Sequence, residues 1–432
     1  MNSRGIYVKA FLAILGFTSN IPIDFIGVVK VAELLSMLYV AVNLGRLNQI
    51  ATELTGFRWF NFFLLIWLGM GSLASAINMT DHPDLYYFTP PLVAFLKGAA
   101  NIFFIFVGIA VFVLTVADKP GLVVYYLIPY GLASSVFSPY QYSIEAAGQS
   151  NFFTIGSPNS VDNYFDMYLA PILTPIVIAL PLLLKTRILL VFALLMTYGV
   201  SSVFFDAKAT GFVFVMASFA LLLKYFRVRL SASALRVVFV ISPFLVYFAL
   251  VFLARSDLLG ISSDRILNSM NKSEKFNPFL LIGRPDPTIA IVAILDSPIL
   301  GHGFNKQDSQ FAFKARSLGY LPSDYNTRFR GISAHSMLLN AMVEGGVLSG
   351  LIWLFVLQIA FRGFAFVFNT EFGLLTGYLL IAFFYLFWNV LFSGTLRMDI
   401  GHFIAIILGF CGRMQKTQII SSATRELNHN IN

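Results

Sequence analysis

The chain has 432 residues, is 58% hydrophobic and 12% charged, holds 46 phenylalanines and carries a formal net charge of +8. Soluble domains carry about 25% charged and about 45–50% apolar residues, so composition argues against a water-soluble fold and for a bilayer as solvent. The single cysteine, Cys411, excludes a disulfide framework and a cysteine-based metal site. It lies in an apolar run and reads as a small buried hydrophobe. In a membrane chain the positive charge reflects cytoplasmic loops and anionic lipid rather than nucleic acid. No cleavable signal peptide is evident, because the first apolar run flows into another.

A helix crosses the hydrocarbon core in about 20 mostly apolar residues. Runs of this kind lie at 7–21, 28–46, 59–78, 91–116, 121–137, 163–184, 187–205, 210–225, 233–254, 336–361, 372–394 and 398–412. They imply an all-α polytopic integral membrane protein with about twelve transmembrane helices. Its parts are an N-terminal transmembrane bundle over 1–254, a long basic loop over 255–335, C-terminal transmembrane helices over 336–412 and a tail over 413–432.

Charge supports this map. With the N-terminus inside, Arg4, Lys9, Arg46, Arg58, Lys119, Lys185, Arg187, Lys224, Arg227, Arg229, Arg236, Arg362, Arg413, Lys416 and Arg425 all fall on the cytoplasmic side. The short outer loops and their flanks hold only Lys30, Lys97, Lys208 and Arg397, and carry Asp24, Asp81, Asp84, Glu145 and Asp162. This is the positive-inside pattern, and it places both termini in the cytoplasm. The remaining basic residues, Arg255, Arg265, Lys272, Lys275, Arg284, Lys306, Lys314, Arg316, Arg328 and Arg330, crowd the long loop. Long loops are exempt from the charge rule, and an outward basic segment suits an anionic ligand. Ordinary solvated surface is the plain alternative. A second outer loop, 138–162, is rich in Ser, Asn, Gln and Tyr and has the look of a sugar-facing surface. No internal repeat is visible, which counts against a transporter.

Within the long loop, residues 284–303 read RPDPTIAIVAILDSPILGHG. The apolar run Ile289–Leu295 is too short to cross. Asp286 suits an N-cap and Pro287 the first helical position, giving a short helix at the outer interface. Arg284 would then stand beside the helix N-terminus, where free N–H groups attract anions. Gly301-His302-Gly303 permits a tight turn and close backbone approach. Residues 331–350 read GISAHSMLLNAMVEGGVLSG. Ser333 is a candidate cap for the next membrane helix, which would put His335 in its first turn. A helix N-terminus disfavours a charged imidazole, so His335 would stay neutral and able to accept a proton; a capping or core histidine is the bland reading. Glu344, well inside that span, requires a mate or a water cavity. Gly346 and Gly350 read as a small-xxx-small packing step. Glu33, Lys97 and Asp166 are candidates for pairing across helices.

An Arg before a short apolar helix, a P-x-x-G-x-G turn, a basic loop, and a His opening a helix with a Glu-Gly-Gly segment together resemble the O-antigen polymerase and O-antigen ligase superfamily (Wzy_C-type). The resemblance covers roughly 190–360 and rests on Arg284, Pro298, Gly301, Gly303, His335, Glu344 and Gly346. The chain departs from the family in having Asp206-Ala207-Lys208 where members often have Ser-Arg-Gly, and His335-Ser336 where many have His-Asn. Lys208 keeps the charge but not a bidentate phosphate fork.

The resemblance implies a GT-C-like fold in a bacterial inner membrane. It also implies a glycosyltransferase that moves a glycan from an undecaprenyl-diphosphate carrier to a sugar hydroxyl on the periplasmic side. His335 is the expected base and Arg284 the expected catalytic cation. Arg265, Lys208, Arg328, Arg330, Gly301 and Gly303 are expected to bind diphosphate or glycan. Partners would be the lipid-linked glycan, the bilayer and a chain-length regulator protein, with no nucleic acid. No cofactor and no metal are expected: His82, His302, His335, His402 and His429 lack zinc-type spacing. A polymerase of O-antigen, exopolysaccharide or capsule repeats is the first reading. A ligase to lipid A core or protein is the second, and a polysaccharide flippase or transporter the alternative from another class.

Overall fold

In lipid every backbone N–H and C=O must find a partner inside the protein, so apolar runs fold as helices. The computed structural model describes residues 3–24, 28–81, 91–148, 169–184, 187–204, 208–227, 286–304, 306, 309–321, 332, 336–369, 375–392 and 400–413. In chain order the helices are α1 (Ser3–Thr18), α2 (Val31–Val42), α3 (Leu44–Glu53), α4 (Thr55–Asp81), α5 (Pro91–Thr115), α6 (Val124–Gly148), α7 (Ala170–Leu184), α8 (Ile188–Phe204) and α9 (Lys208–Tyr225). After them come α10 (Asp286–Asp296), α11 (Ser309–Ser317), α12 (Met337–Asn369), α13 (Thr376–Phe392) and α14 (Gly401–Arg413). A two-stranded antiparallel hairpin, β1 (Pro22–Asp24) and β2 (Val28–Lys30), with Ile23 opposite Val29, links α1 to α2.

Apart from 28–46, and from 233–254, which lies outside the described residues, the described parts of the expected runs lie mainly on these helices. Among the described residues, four stretches are long and apolar enough to cross a bilayer: Thr55–Asn78, Leu92–Thr115, Pro120–Phe137 and Met337–Phe368. The chain is an all-α membrane protein. The run 28–46 is shorter as a helix than expected, for two reasons. Val28–Lys30 pairs as a strand, and the Glu33 carboxylate accepts the Lys30 N–H at 2.9 Å, fixing the start of α2. Asn43 ends α2, its Nδ2 donating to the Tyr39 carbonyl at 2.8 Å.

The bundle is apolar inside and out. Trp67, Trp353, Tyr126, Tyr378, Phe112 and Phe403 are buried, while Leu38, Leu65, Leu92 and Val136 point outward and are more than half exposed. That double apolarity is what a lipid solvent allows. Hydroxyls within the helices bond back to their own backbone: Thr18 to Ile14 O, Thr115 to Val111 O, Ser218 to Phe214 O. Adjacent pairs α8–α9, α1–α6, α6–α7 and α12–α13 pack together, and α4 crosses to α12. On the loop side, α10 and α11 form a second, smaller core: Ile289, Ala290, Val292, Ala293 and Ile294 close on Phe311, Ala312, Ala315 and Leu321, with Val343 of α12 beneath. The short apolar helix of the loop is therefore packed on protein, leaving Leu295 and Ile299 exposed.

Candidate functional site

Two adjacent glycines interrupt α12. Gly345 has φ −137° and ψ 27°, and Gly346 has φ 71° and ψ −175°. The second conformation belongs essentially to glycine alone. A break of this kind inside a helix strips backbone groups of their partners. Here the segment after α10 supplies replacements. His302 N–H donates to Val343 O at 2.7 Å, Gly303 N–H to Glu344 O at 2.9 Å, and Val347 N–H to Pro298 O at 2.8 Å. The turn at Gly301 (φ 78°) and Gly303 (φ 82°) lets the two backbones meet: a Cβ on Gly301 would stand 2.5 Å from Gly346 N, and one on Gly346 would stand 2.0 Å from Ile299 O.

The clasp continues into the bundle. The Phe304 side chain is fully buried and fills space that a Cβ on Gly71 of α4 or Gly98 of α5 would occupy. Phe304 N–H donates to Ser75 Oγ at 2.9 Å, Ser75 donates to Gly71 O at 2.7 Å, and Asn78 Nδ2 reaches His302 O at 3.1 Å. Just before the break, the partly buried Glu344 carboxyl accepts from the Trp67 indole at 3.0 Å and from Asn340 Nδ2 at 3.4 Å. Trp67 on α4 and Asn340 on α12 are the mates that an acid in this span requires.

His302 is buried, and its Nε2 lies 2.8 Å from Ala293 O. A carbonyl only accepts, so Nε2 carries the proton. Burial holds its pKa below the usual histidine value, with the Lys306 charge acting in the same direction. His302 is thus a neutral structural donor that closes α10 onto the turn. Lys306 is 2% exposed, and burial lowers its pKa to about 8, partly offset by Asp296. The Asp296 carboxylate is ion-paired with Lys314 of α11.

The expected site residues divide. Arg284, His335, Arg265, Arg328 and Arg330 lie outside the described residues, as does Asp166. Lys208 is the first residue of α9. Gly301 and Gly303 are described, and both engage protein backbone. Gly301 N–H is spent on Ser297 O at 3.0 Å and Gly303 N–H on Glu344 O, so the close approach they permit is to protein backbone. The small-xxx-small reading of Gly346 and Gly350 fails: Gly346 is non-helical and Gly350 faces Met342 and Leu338 of its own helix. Ser336 rather than Ser333 caps α12, accepting Leu339 N–H at 3.2 Å while its hydroxyl donates to Val390 O at 2.9 Å. The described helix α12 starts at Met337, and His335, expected in its first turn, lies outside the described residues. Glu33 is engaged at the start of its own helix, and Lys97 is exposed on α5.

Sequence reading missed Phe304, Ser75, Asn78, Trp67 and helix α11. One signal was available: two adjacent glycines within an otherwise apolar span are a recognised cause of a kink, and a kink needs donors and acceptors from elsewhere. Family models, characterised proteins and solved structures were all compared with this chain, and none matches.

Proposed function

We propose that this protein is a membrane glycosyltransferase that polymerises polyprenyl-diphosphate-linked oligosaccharide repeats on the periplasmic side of a bacterial inner membrane. It crosses about twelve times, with both termini cytoplasmic. The observation that carries the reading is the clasp. The two segments on which the resemblance rests, Pro298–Gly303 and Glu344–Gly346, are separated in sequence and are hydrogen-bonded to one another. In this reading, a loop segment fastened to α12 keeps the extramembrane chemistry near the lipid boundary, where a polyprenyl donor presents its diphosphate.

In this reading His335 takes the proton of the acceptor hydroxyl, whose oxygen attacks the anomeric carbon of the donor glycan. The anomeric C–O bond breaks, and polyprenyl diphosphate leaves as an anion stabilised by Arg284, Arg265, Arg328, Arg330 and Lys208. The polyprenyl tail lies among the membrane helices.

The test is glycan profiling of a deletion strain carrying wild type, Arg284→Ala or His335→Ala at matched protein levels. Surface glycan cut to a single repeat, restored by wild type alone, supports the polymerase. Long polymer stranded on the carrier means a ligase, and loss of all outward-facing lipid-linked repeats means a flippase. Full activity in both variants overturns the residue assignment.

A further inference from the structure

The clasp also fixes a depth. A Cβ on Gly345 of α12 would stand 2.9 Å from Gly71 N of α4, and the Phe304 ring lies against both Gly71 and Gly98 of α5. Three helices that are each long and apolar enough to cross a bilayer therefore share one level with the turn after α10. At about 1.5 Å per residue, this level is about 9–12 Å from the near ends of the three spans at Asn78, Leu92 and Met337. It is about 20–26 Å from Arg58 on α4, from Thr115 at the far end of α5 and from Arg362 on α12. Arg58 and Arg362 are exposed. Arg413 joins their plane, donating to Ala117 O at 2.8 Å just past α5. A hydrocarbon core is about 30 Å thick. With these arginines at one face, the clasp falls inside the opposite face rather than above it.

The chemistry of the turn agrees with that depth. Non-helical backbone is tolerated in hydrocarbon only where protein satisfies it, and the hydrogen bonds of the clasp do so. What the turn shows outward is apolar: Leu295 is 72% and Ile299 74% exposed, and Pro298 is exposed beside them. Asp296, the one carboxylate from Leu295 to Phe304, is paired with Lys314, and His302 is buried. Val347 N–H donates to Pro298 O, so this surface adjoins Val347 and Leu348, exposed on α12 directly after the break. Leu354, two turns further on, continues the same outward stripe. The apolar surface of the turn is thus continuous with the outward side of a membrane helix.

We propose that the turn after α10 is a re-entrant element of the outer leaflet, in which Leu295, Pro298 and Ile299 face the acyl chains of bilayer phospholipid. Only the name of the leaflet follows the charge topology proposed above; the depth follows from the helices. Lys97, exposed beside Gly98, fits this depth, because a lysine stem extends from the edge of the hydrocarbon to the headgroups.

The full-length protein, with Cys411 replaced by Ser, receives a single cysteine by Leu295→Cys or Ile299→Cys, labelled with the dye NBD in phosphatidylcholine nanodiscs. Leu65→Cys, on an outward face of α4, is the control in lipid, and Lys119→Cys, exposed beyond α5, the control in water. Thermal melts establish that each variant folds. Acyl-brominated phosphatidylcholine is expected to quench both turn positions as it quenches Leu65→Cys, and aqueous iodide to quench Lys119→Cys alone. Bromine near the headgroup end of the chain should quench Ile299→Cys more than bromine near the methyl end. The order should reverse at Leu65→Cys, about 9 Å deeper along α4 than Gly71. Iodide quenching at the turn equal to that at Lys119→Cys, without bromine quenching, overturns the proposal and puts the turn in water. Access by neither quencher also overturns it and means that a second copy or another part of the chain covers the face. Bromine quenching that added undecaprenyl phosphate abolishes at the turn, but not at Leu65→Cys, assigns the surface to a prenyl tail and overturns the bilayer assignment. These readouts do not involve glycan assembly, so the embedding can hold where the glycosyltransferase reading fails, and the reverse.

Discussion

In the bundle, contact is made by side chains: Phe364 stacks on Phe383 with centroids 4.3 Å apart, Trp67 meets Trp353 edge-on, and Phe112 and Tyr126 close on His402. Around Pro298–Gly303 contact is made by backbone, through N–H groups and carbonyls that a broken helix has released. Apolar helices in lipid gain no hydrophobic energy by associating, so the bundle rests on close packing and tolerates volume-conserving change. The clasp has no such latitude, because a group released there has neither water nor another helix turn to turn to. The contrast teaches that the more fragile part of this protein is its smaller, more polar one.

The sharpest way to break the comparison is Phe304→Ala. It empties a fully buried ring seated on α4 and α5 and is expected to cost about 3–5 kcal/mol. Leu65→Ala, on an outward face, is expected to change stability by no more than about 0.5 kcal/mol. Thermal unfolding of the detergent-solubilised chain reads both, and equal losses would abolish the distinction. Next is Gly346→Ala, which forces a side chain into φ 71° and onto Ile299 O, at a cost of about 1–3 kcal/mol from backbone strain. Gly5→Ala, with open space around it on α1, is expected to be neutral or stabilising.

Trp67→Phe removes the indole N–H from the Glu344 carboxyl and is expected to cost about 1–3 kcal/mol. In a Glu344→Leu background the same change should cost measurably less, which a double-mutant cycle resolves. The Lys306 charge gives a pH signature. Its folded pKa, about 8, lies below its ordinary value of 10.5, so between these the unfolded chain binds more protons and stability rises with pH. The destabilisation is fully present below about 8. Melting temperature should therefore climb from pH 8 towards 10.5 in wild type relative to Lys306→Met. Smallest is Lys314→Ala. Its pair with Asp296 is exposed on both sides, worth about 0–1 kcal/mol and weakened by salt.

Much of the fold was legible because a bilayer demands long apolar runs, and such runs need no knowledge of neighbours. The helices α4, α5 and α12 follow from their residues alone. The hairpin at Pro22–Lys30 was not legible, since Val28–Lys30 reads as readily as the start of a helix. Helix α11 was hidden in a polar stretch, SQFAFKARS, where only Phe311, Ala312 and Ala315 face inward. In the candidate site, the motif glycines were legible, but the backbone they approach was not. Glycine signals close approach, and sequence does not say to what. Ser75, Asn78 and Trp67 lie more than two hundred residues before their partners, and nothing local marks a side chain whose purpose is fixed at that separation.

The wedge at Phe304 also imposes an order in time. The residues that receive it, Gly71 and Gly98, are made about two hundred residues earlier, which at 5–20 residues per second is roughly 10–40 s of synthesis. Those that lock the turn, Val343 to Val347, emerge some forty residues later. The slot therefore exists before the wedge, and the wedge before the lock. Until α12 inserts, Phe304 can be seated without being fastened, so the amino-terminal helices must already be assembled when the last third of the chain arrives to close over them.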